Sequence, residues 1–246
     1  MGAPAGDEAT ALCSVVLEAR NGTGGKAIMT QSASVTVKTL ADIIEMKRIY
    51  SVIDNALGKT YPACLLVTSG ARGEGKTTVA AGIAAVAATH STKQVLAVDL
   101  NWFKPALHEW FGLDPVFDVG TFRNNGLIKD IAQTTNIANL DILTASPPRE
   151  GMTESAGSEY MLGTEIVTRA RAEYDFVVVD ASSIFPTNRH MMDPVTLSKA
   201  ADGVVLVVLM NVTPRQQVKR ARMFLKTAGA NVLGVVVNQW KNPMAR

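Results

Sequence analysis

The stretch from Leu65 to Thr78 restricts the folds open to this chain more than any other. Cys64 to Thr68 is a short apolar run of strand character, and the residues from Thr78 to Ala88 are Ala-rich and helical. Between them lies Gly70-x-x-x-x-Gly75-Lys76-Thr77, a loop pattern suited to holding phosphate. Main-chain N–H groups wrap an anion only where the turn is tight and uncrowded, which calls for glycines such as Gly70, Gly73 and Gly75. The start of a helix adds partial positive charge at the same point. The Lys76 ammonium reaches outer phosphates, and the Thr77 hydroxyl is suited to Mg²⁺. Glu74 and Thr78 belong to the same phosphate-facing stretch. A strand, loop and helix of this kind imply nucleotide binding.

The rest of the chain supplies a matching scaffold. Strand character recurs at Gln94–Asp99, Leu140–Thr144, Phe176–Asp180, Gly203–Met210 and Val232–Asn238. Helical spacing appears over Thr39–Leu57, with Leu40, Ile43, Ile44, Tyr50 and Ile53 favouring one side. Further helices are expected at Pro105–Leu113, Thr164–Tyr174, Asp193–Ala201 and Pro214–Ala228. Asp114–Ile137 is polar and mixed around an apolar anchor at Leu127-Ile128, and Pro147–Ser158 reads as an irregular loop. Uniformly apolar strands alternating with helices mean an α/β fold: a doubly wound, mostly parallel sheet with helices on both faces.

The 246 residues fit one large domain over 38–246, after a flexible segment over 1–37 that is rich in Gly, Ala, Ser and Thr. Within that segment, Asn21-Gly22-Thr23-Gly24-Gly25 has neither a strand before it nor a helix after it and reads as linker; Met29 is a second candidate start. The formal charge of +2 implies no broad nucleic-acid surface. Cys13 and Cys64 lie far apart, so a disulfide framework is not expected and the reducing cytoplasm is. No run is apolar enough to cross a bilayer, and no signal peptide is expected.

Open parallel sheets place ligands at the carboxyl ends of their strands. Asp99 and Asp180 each close an apolar strand there, as a Mg²⁺ site beside a terminal phosphate requires; a cap or turn former is the other reading of Asp180. His90, His108 and His190 lack metal-ligand spacing and fit surface or capping roles. Trp102, Phe103, Trp110 and Phe111 fit packing of a helix on the sheet, with a binding face as the second reading.

Three blocks in order carry a family resemblance: Gly73-Glu74-Gly75-Lys76-Thr77-Thr78, Val98-Asp99 through Gly112-Leu113, and Tyr174 through Asp180. With Ala201–Val208 and Val232–Asn238, they make the chain from about Glu45 to Asn238 resemble the cytoplasmic domain of bacterial tyrosine kinases, the P-loop kinases of capsule and exopolysaccharide synthesis. The resemblance implies ATP and Mg²⁺ as ligands, with Lys76 and Thr77 at the phosphates and metal. It places Asp99 at the first acid of the family's second Walker motif and Asp180 at that of Walker B. Lys76, Asp99 and Asp180 are thereby the implied catalytic residues, with Thr77, Asp99 and Asp180 on the metal and Asn238 near adenine. Glu45-x-x-Arg48 matches the start of the motif through which such kinases assemble into rings. A membrane chain-length protein is the implied partner, and the expected location is cytoplasmic, at the inner membrane through that partner.

Several positions depart from the family pattern. Asn101 stands where a second aspartate is usual, Phe103 where an arginine is, and Ser51 where the ring motif's next arginine is. Ser182 and Ser183 replace prolines after Walker B, and no tyrosine cluster follows Trp240. An amide offers a metal its carbonyl oxygen but takes no proton, so base catalysis at Asn101 is lost. These departures point to weak ATPase and little tyrosine autokinase activity. Two alternatives remain: a positioning ATPase of the partition and cell-division type, against which Ala71 stands at the place of an additional lysine, and a non-catalytic interaction module held in shape by nucleotide.

Overall fold

The computed structural model describes residues 41–102, 104–117, 119–123, 126–144, 156–185 and 192–238. The expected N-terminal linker, Leu40, Phe103, His190, most of the 147–158 loop and the residues after Asn238 lie outside them.

In chain order the helices are α1 (Ile44–Ala56), α2 (Lys76–His90), α3 (Leu107–Phe111), α4 (Val119–Arg123), α5 (Ile128–Ile131), α6 (Ala156–Glu173), α7 (Pro194–Leu197) and α8 (Arg215–Thr227). The strands are β1 (Ala63–Ser69), β2 (Val95–Asp99), β3 (Gln133–Thr134), β4 (Leu140–Leu143), β5 (Phe176–Ser183), β6 (Gly203–Leu209) and β7 (Val232–Asn238). They form one sheet in the order β3-β4-β2-β5-β1-β6-β7. Every ladder is parallel except β3 on β4, where a short polar strand caps the edge. The doubly wound, mostly parallel sheet with helices on both faces is as expected.

Two apolar cores lie on opposite faces of the sheet. One joins α1, α2 and α3 to Phe176, Val178 and Val207; the other joins α6, α7 and α8 to Leu66, Val177 and Leu206. α2 is buried nearly throughout, because its alanines let it lie close to the sheet while α1 covers its outer side. Gly82 marks where the two helices cross: a Cβ there would meet the Met46 side chain. The inner face of α1 is Met46, Ile49, Tyr50 and Ile53. Ile44, expected on that face, points outward because the packed stripe starts two residues later. The mixed segment before β4 contains α4, α5 and β3, elements too short to show a period.

β1 lies between β5 and β6, so its carboxyl end opens where the chain winds away in both directions. The loop between β1 and α2 emerges there, with Asp99 and Asp180 at the neighbouring strand ends.

Candidate nucleotide site

The loop turns at Gly73 (φ +78°) and Gly75 (φ +89°), in the left-handed region open to glycine. A Cβ at Gly75 would also collide with the Asn238 side chain. Two side chains brace the loop from behind. The buried Glu74 carboxylate accepts the Ala71 N–H (2.8 Å) and the Thr213 hydroxyl. Asn238 Nδ2, at the end of β7, donates to the Glu74 carbonyl (3.1 Å). Both residues were expected at the ligand; their side chains are engaged with the loop itself. Thr213, remote in sequence, carried no signal of this role. In front of the loop is an open cleft of about 390 Å³ whose lining includes Gly75, Lys76, Thr77, Thr78, Asn101 and Ser183.

Asp99 and Asp180 are lateral neighbours on β2 and β5, both buried, and they are satisfied differently. Asp99 Oδ1 accepts the Asn101 N–H, and Oδ2 accepts those of Ala106 and Leu107, all at 3.0 Å. Its carboxylate closes the turn into α3. Asp180 Oδ2 accepts the Thr77 hydroxyl (2.6 Å), while its Oδ1 is buried without a partner among the described residues, as is Ser183 Oγ. Burial pushes the Asp180 carboxyl up to about 7; the Asp99 charge adds to this, and Lys76 and the Thr77 hydroxyl work against it. Burial raises Asp99 too, opposed by its three N–H donors. Lys76, only 7% exposed, is pulled below the usual lysine range by burial, with Asp180 and Glu74 opposing.

This arrangement suits Mg²⁺ and phosphate. Thr77 and the unpartnered Asp180 oxygen are hard oxygen donors, and the buried Lys76 ammonium acts on the same carboxylate. Among the described residues no three His, Cys, Asp or Glu side chains converge on a metal position.

Residues 65–245 match the family described as the CobQ/CobB/MinD/ParA nucleotide binding domain. The chain belongs to that family. It is 31% identical over 175 residues to the tyrosine-protein kinase YwqD of Bacillus subtilis, covering 71% of each chain. It is 27% identical over 198 residues to the succinoglycan biosynthesis transport protein ExoP of Rhizobium meliloti, covering 76% of this chain and 23% of ExoP. The solved kinase domain of the Escherichia coli tyrosine kinase ETK shares the fold, with a TM-score of 0.71 at 17% identity over 89% of this chain and 85% of that one. Within the CobQ/CobB/MinD/ParA family the chain therefore stands with the bacterial tyrosine kinases, as its motifs implied.

Two of its departures from the kinase pattern are hydrogen-bonded to each other. Ser182 Oγ donates to Asn101 Oδ1 (3.1 Å), and Asn101 Nδ2 donates to the Lys104 carbonyl (2.9 Å). The amide thus ties the β2–α3 loop to β5, a bond that proline at position 182 cannot supply. Of the tyrosines, Tyr50 accepts from Lys93 Nζ (2.9 Å), Tyr61 donates to Asp54, and the buried Tyr174 donates to Asp141 (2.8 Å). Tyr160 lies in α6. Trp110 and Phe111 join the α2 core as expected, while Trp102 packs tilted against Phe117 and donates its indole N–H to the Asp99 carbonyl, and Phe103 lies outside the described residues. His90 is exposed, whereas His108 sits beside Asp99 with its Nδ1 buried and unpartnered among the described residues.

Proposed function

We propose that this chain binds ATP with Mg²⁺ and hydrolyses it slowly, with little tyrosine autokinase activity, in exopolysaccharide or capsule synthesis. The observation that carries this reading is the Thr77–Asp180 pair: Thr77 lines the cleft with Lys76, and the Asp180 carboxylate it bonds keeps one buried oxygen without a partner among the described residues. Mg²⁺, when held there, would supply positive charge to offset that of the phosphates. Lys76 and the loop N–H groups, apart from that of Ala71, which Glu74 occupies, hold the phosphates. Thr77 and Asp180 would hold the metal, Asp180 as its carboxylate. Asp99 fixes the β2–α3 loop and adds negative charge to the metal side. Asn238, bonded behind the loop, stands on the base side. Asn101, with both ends of its amide engaged, offers no base to a tyrosine hydroxyl, which lowers phosphoryl transfer by about 10²–10⁴-fold while leaving hydrolysis by water.

Polysaccharide synthesis is supported by the likeness to ExoP, a succinoglycan biosynthesis transport protein, and the partner proposed with it is a membrane chain-length protein. The protein acts in the cytoplasm, at the inner membrane through that partner; no helix among the described residues is long and apolar enough to cross a membrane. Assembly of copies uses the outer stripe of α1, where Ile44, Arg48 and Val52 are exposed beside Glu45. The positioning-ATPase reading is less favoured, since Ala71 occupies the place of the additional lysine.

Titration calorimetry tests the site. The full chain is expected to bind ATP with Mg²⁺, and Lys76→Ala to weaken binding at least about 30-fold through loss of a charge-assisted contact. Equal affinity in the variant would remove the phosphate-loop assignment. Mass spectrometry after incubation with ATP and Mg²⁺ tests the rest, because stoichiometric phosphotyrosine that vanishes in Lys76→Ala would restore a full kinase.

A further inference from the structure

Every Asp and Glu of the chain lies before Gly203; from there to Arg246 the only charged residues are Lys and Arg. The fold gathers most of those cations on α8, as Arg215, Lys219, Arg220, Arg222 and Lys226. Because the whole chain carries only +2, everything outside this helix is net negative. The near-neutral total hides a strong asymmetry.

α8 buries Ala221 and Leu225 against the sheet and half-buries Val218. Arg215, Lys219, Arg220 and Lys226 are exposed. Met223 lies among them, four residues after Lys219 and three before Lys226, so the three share one outward face; it is 57% exposed. At the flank, Phe224 is 41% exposed and packs on Phe185 at 5.6 Å between ring centroids, with the Arg220 guanidinium 5.2 Å over Phe185. Val212 and Met210, just before the helix, are exposed as well. The surface is therefore cationic and studded with bare apolar side chains.

We infer that this face rests directly on an anionic lipid surface. The lysines and arginines meet the headgroups, while Met223, Val212 and Phe224 enter the apolar boundary beneath them. Nucleic acid would engage the cations but leave Met223 and Val212 without a counterpart, since its contacts are mostly polar ones to phosphate and base edges. An acidic peptide needs a groove in which to bury its side chains. The outer side of a lone helix is convex, and neither the nucleotide cleft nor the apolar groove between α1 and β7 includes a residue of α8. A sheet of headgroups needs no groove. The contact also adjoins the nucleotide loop, because Thr213, between Val212 and α8, bonds to Glu74.

Co-sedimentation of the full chain with vesicles tests this. Binding is expected to phosphatidylcholine vesicles containing phosphatidylglycerol and not to phosphatidylcholine alone, and to fall steeply with added salt. The triple variant Arg215→Glu, Lys219→Glu, Lys226→Glu should reduce binding more than tenfold. Met223→Ser should reduce it about tenfold while keeping the charge, with circular dichroism reporting an intact fold in both. Equal sedimentation of the triple variant, indifference to phosphatidylglycerol, or no vesicle binding overturns the inference. Binding of duplex DNA that Met223→Ser leaves unchanged, without vesicle binding, reassigns the face to nucleic acid and overturns it too.

Discussion

Asp99 and Asp180 stand side by side at the ends of β2 and β5, in the same chemical setting, and do opposite things. Asp99 is filled by three backbone N–H donors from the turn just beyond it. Asp180 holds one hydroxyl and keeps an oxygen without a partner. A carboxylate at a strand end is therefore no indicator of role by itself; the path the backbone takes beyond it decides. After Asp99 the chain doubles back, so its own N–H groups reach the carboxylate. After Asp180 the strand continues to Ser183, carrying the donors away.

The sharpest division should appear in turnover. Asp180→Asn is expected to lower Mg²⁺-dependent ATP hydrolysis beyond the roughly 10–100-fold typical of losing a metal's outer partner, with the fold intact. An unchanged Mg²⁺ titration would make Asp180 a cap like its neighbour. Asp99→Ala should act first on stability, costing about 3 kcal/mol in urea unfolding, because three backbone donors, the buried Leu107 N–H among them, lose their acceptor. Should Asp99→Ala instead keep native stability and lose hydrolysis as severely as Asp180→Asn, the contrast fails and Asp99 is the second metal carboxylate.

A smaller effect comes from the Asp180 proton. Its carboxyl titrates at about 7 when folded against 3.8 in the unfolded chain, so between those values the native state holds the extra proton. Stability from this group is therefore greatest near the lower value and falls as pH rises through the folded one. Thermal melts without nucleotide should show Asp180→Asn gaining a few degrees on the wild type at about pH 8 and little at about pH 5. A gap that widens toward acid would mean that Asp180 is stabilised as the anion.

Much of this contrast was hidden in the sequence, and the reason is reach. The phosphate loop, the strand ends and β7 were legible because their signals are local: glycine spacing, apolar runs, a terminal acid. Partners of the site residues were not. Thr213 meets Glu74 and Ser182 meets Asn101 only once the sheet has brought distant segments together. Helix edges failed for a different reason. α6 begins at Ala156, ahead of the expected Thr164, because Gly157, Ser158 and Gly163 blur the apolar period at its start. α4 and α5 are single turns, which hold no period at all.

The bracing of the phosphate loop by Glu74, Thr213 and Asn238 has a consequence for the thermodynamics of binding. A loop already wound and bonded loses little conformational freedom when its ligand arrives, so the ordering cost falls on folding rather than on association. Binding to such a loop has a small heat-capacity change and an encounter rate set by diffusion and orientation rather than by loop closure. Thr213, which lies behind the loop, thereby governs affinity through entropy: without its hydroxyl, the Glu74 carboxylate is held only by Ala71 from within the loop, and each arriving phosphate must order what the fold no longer does.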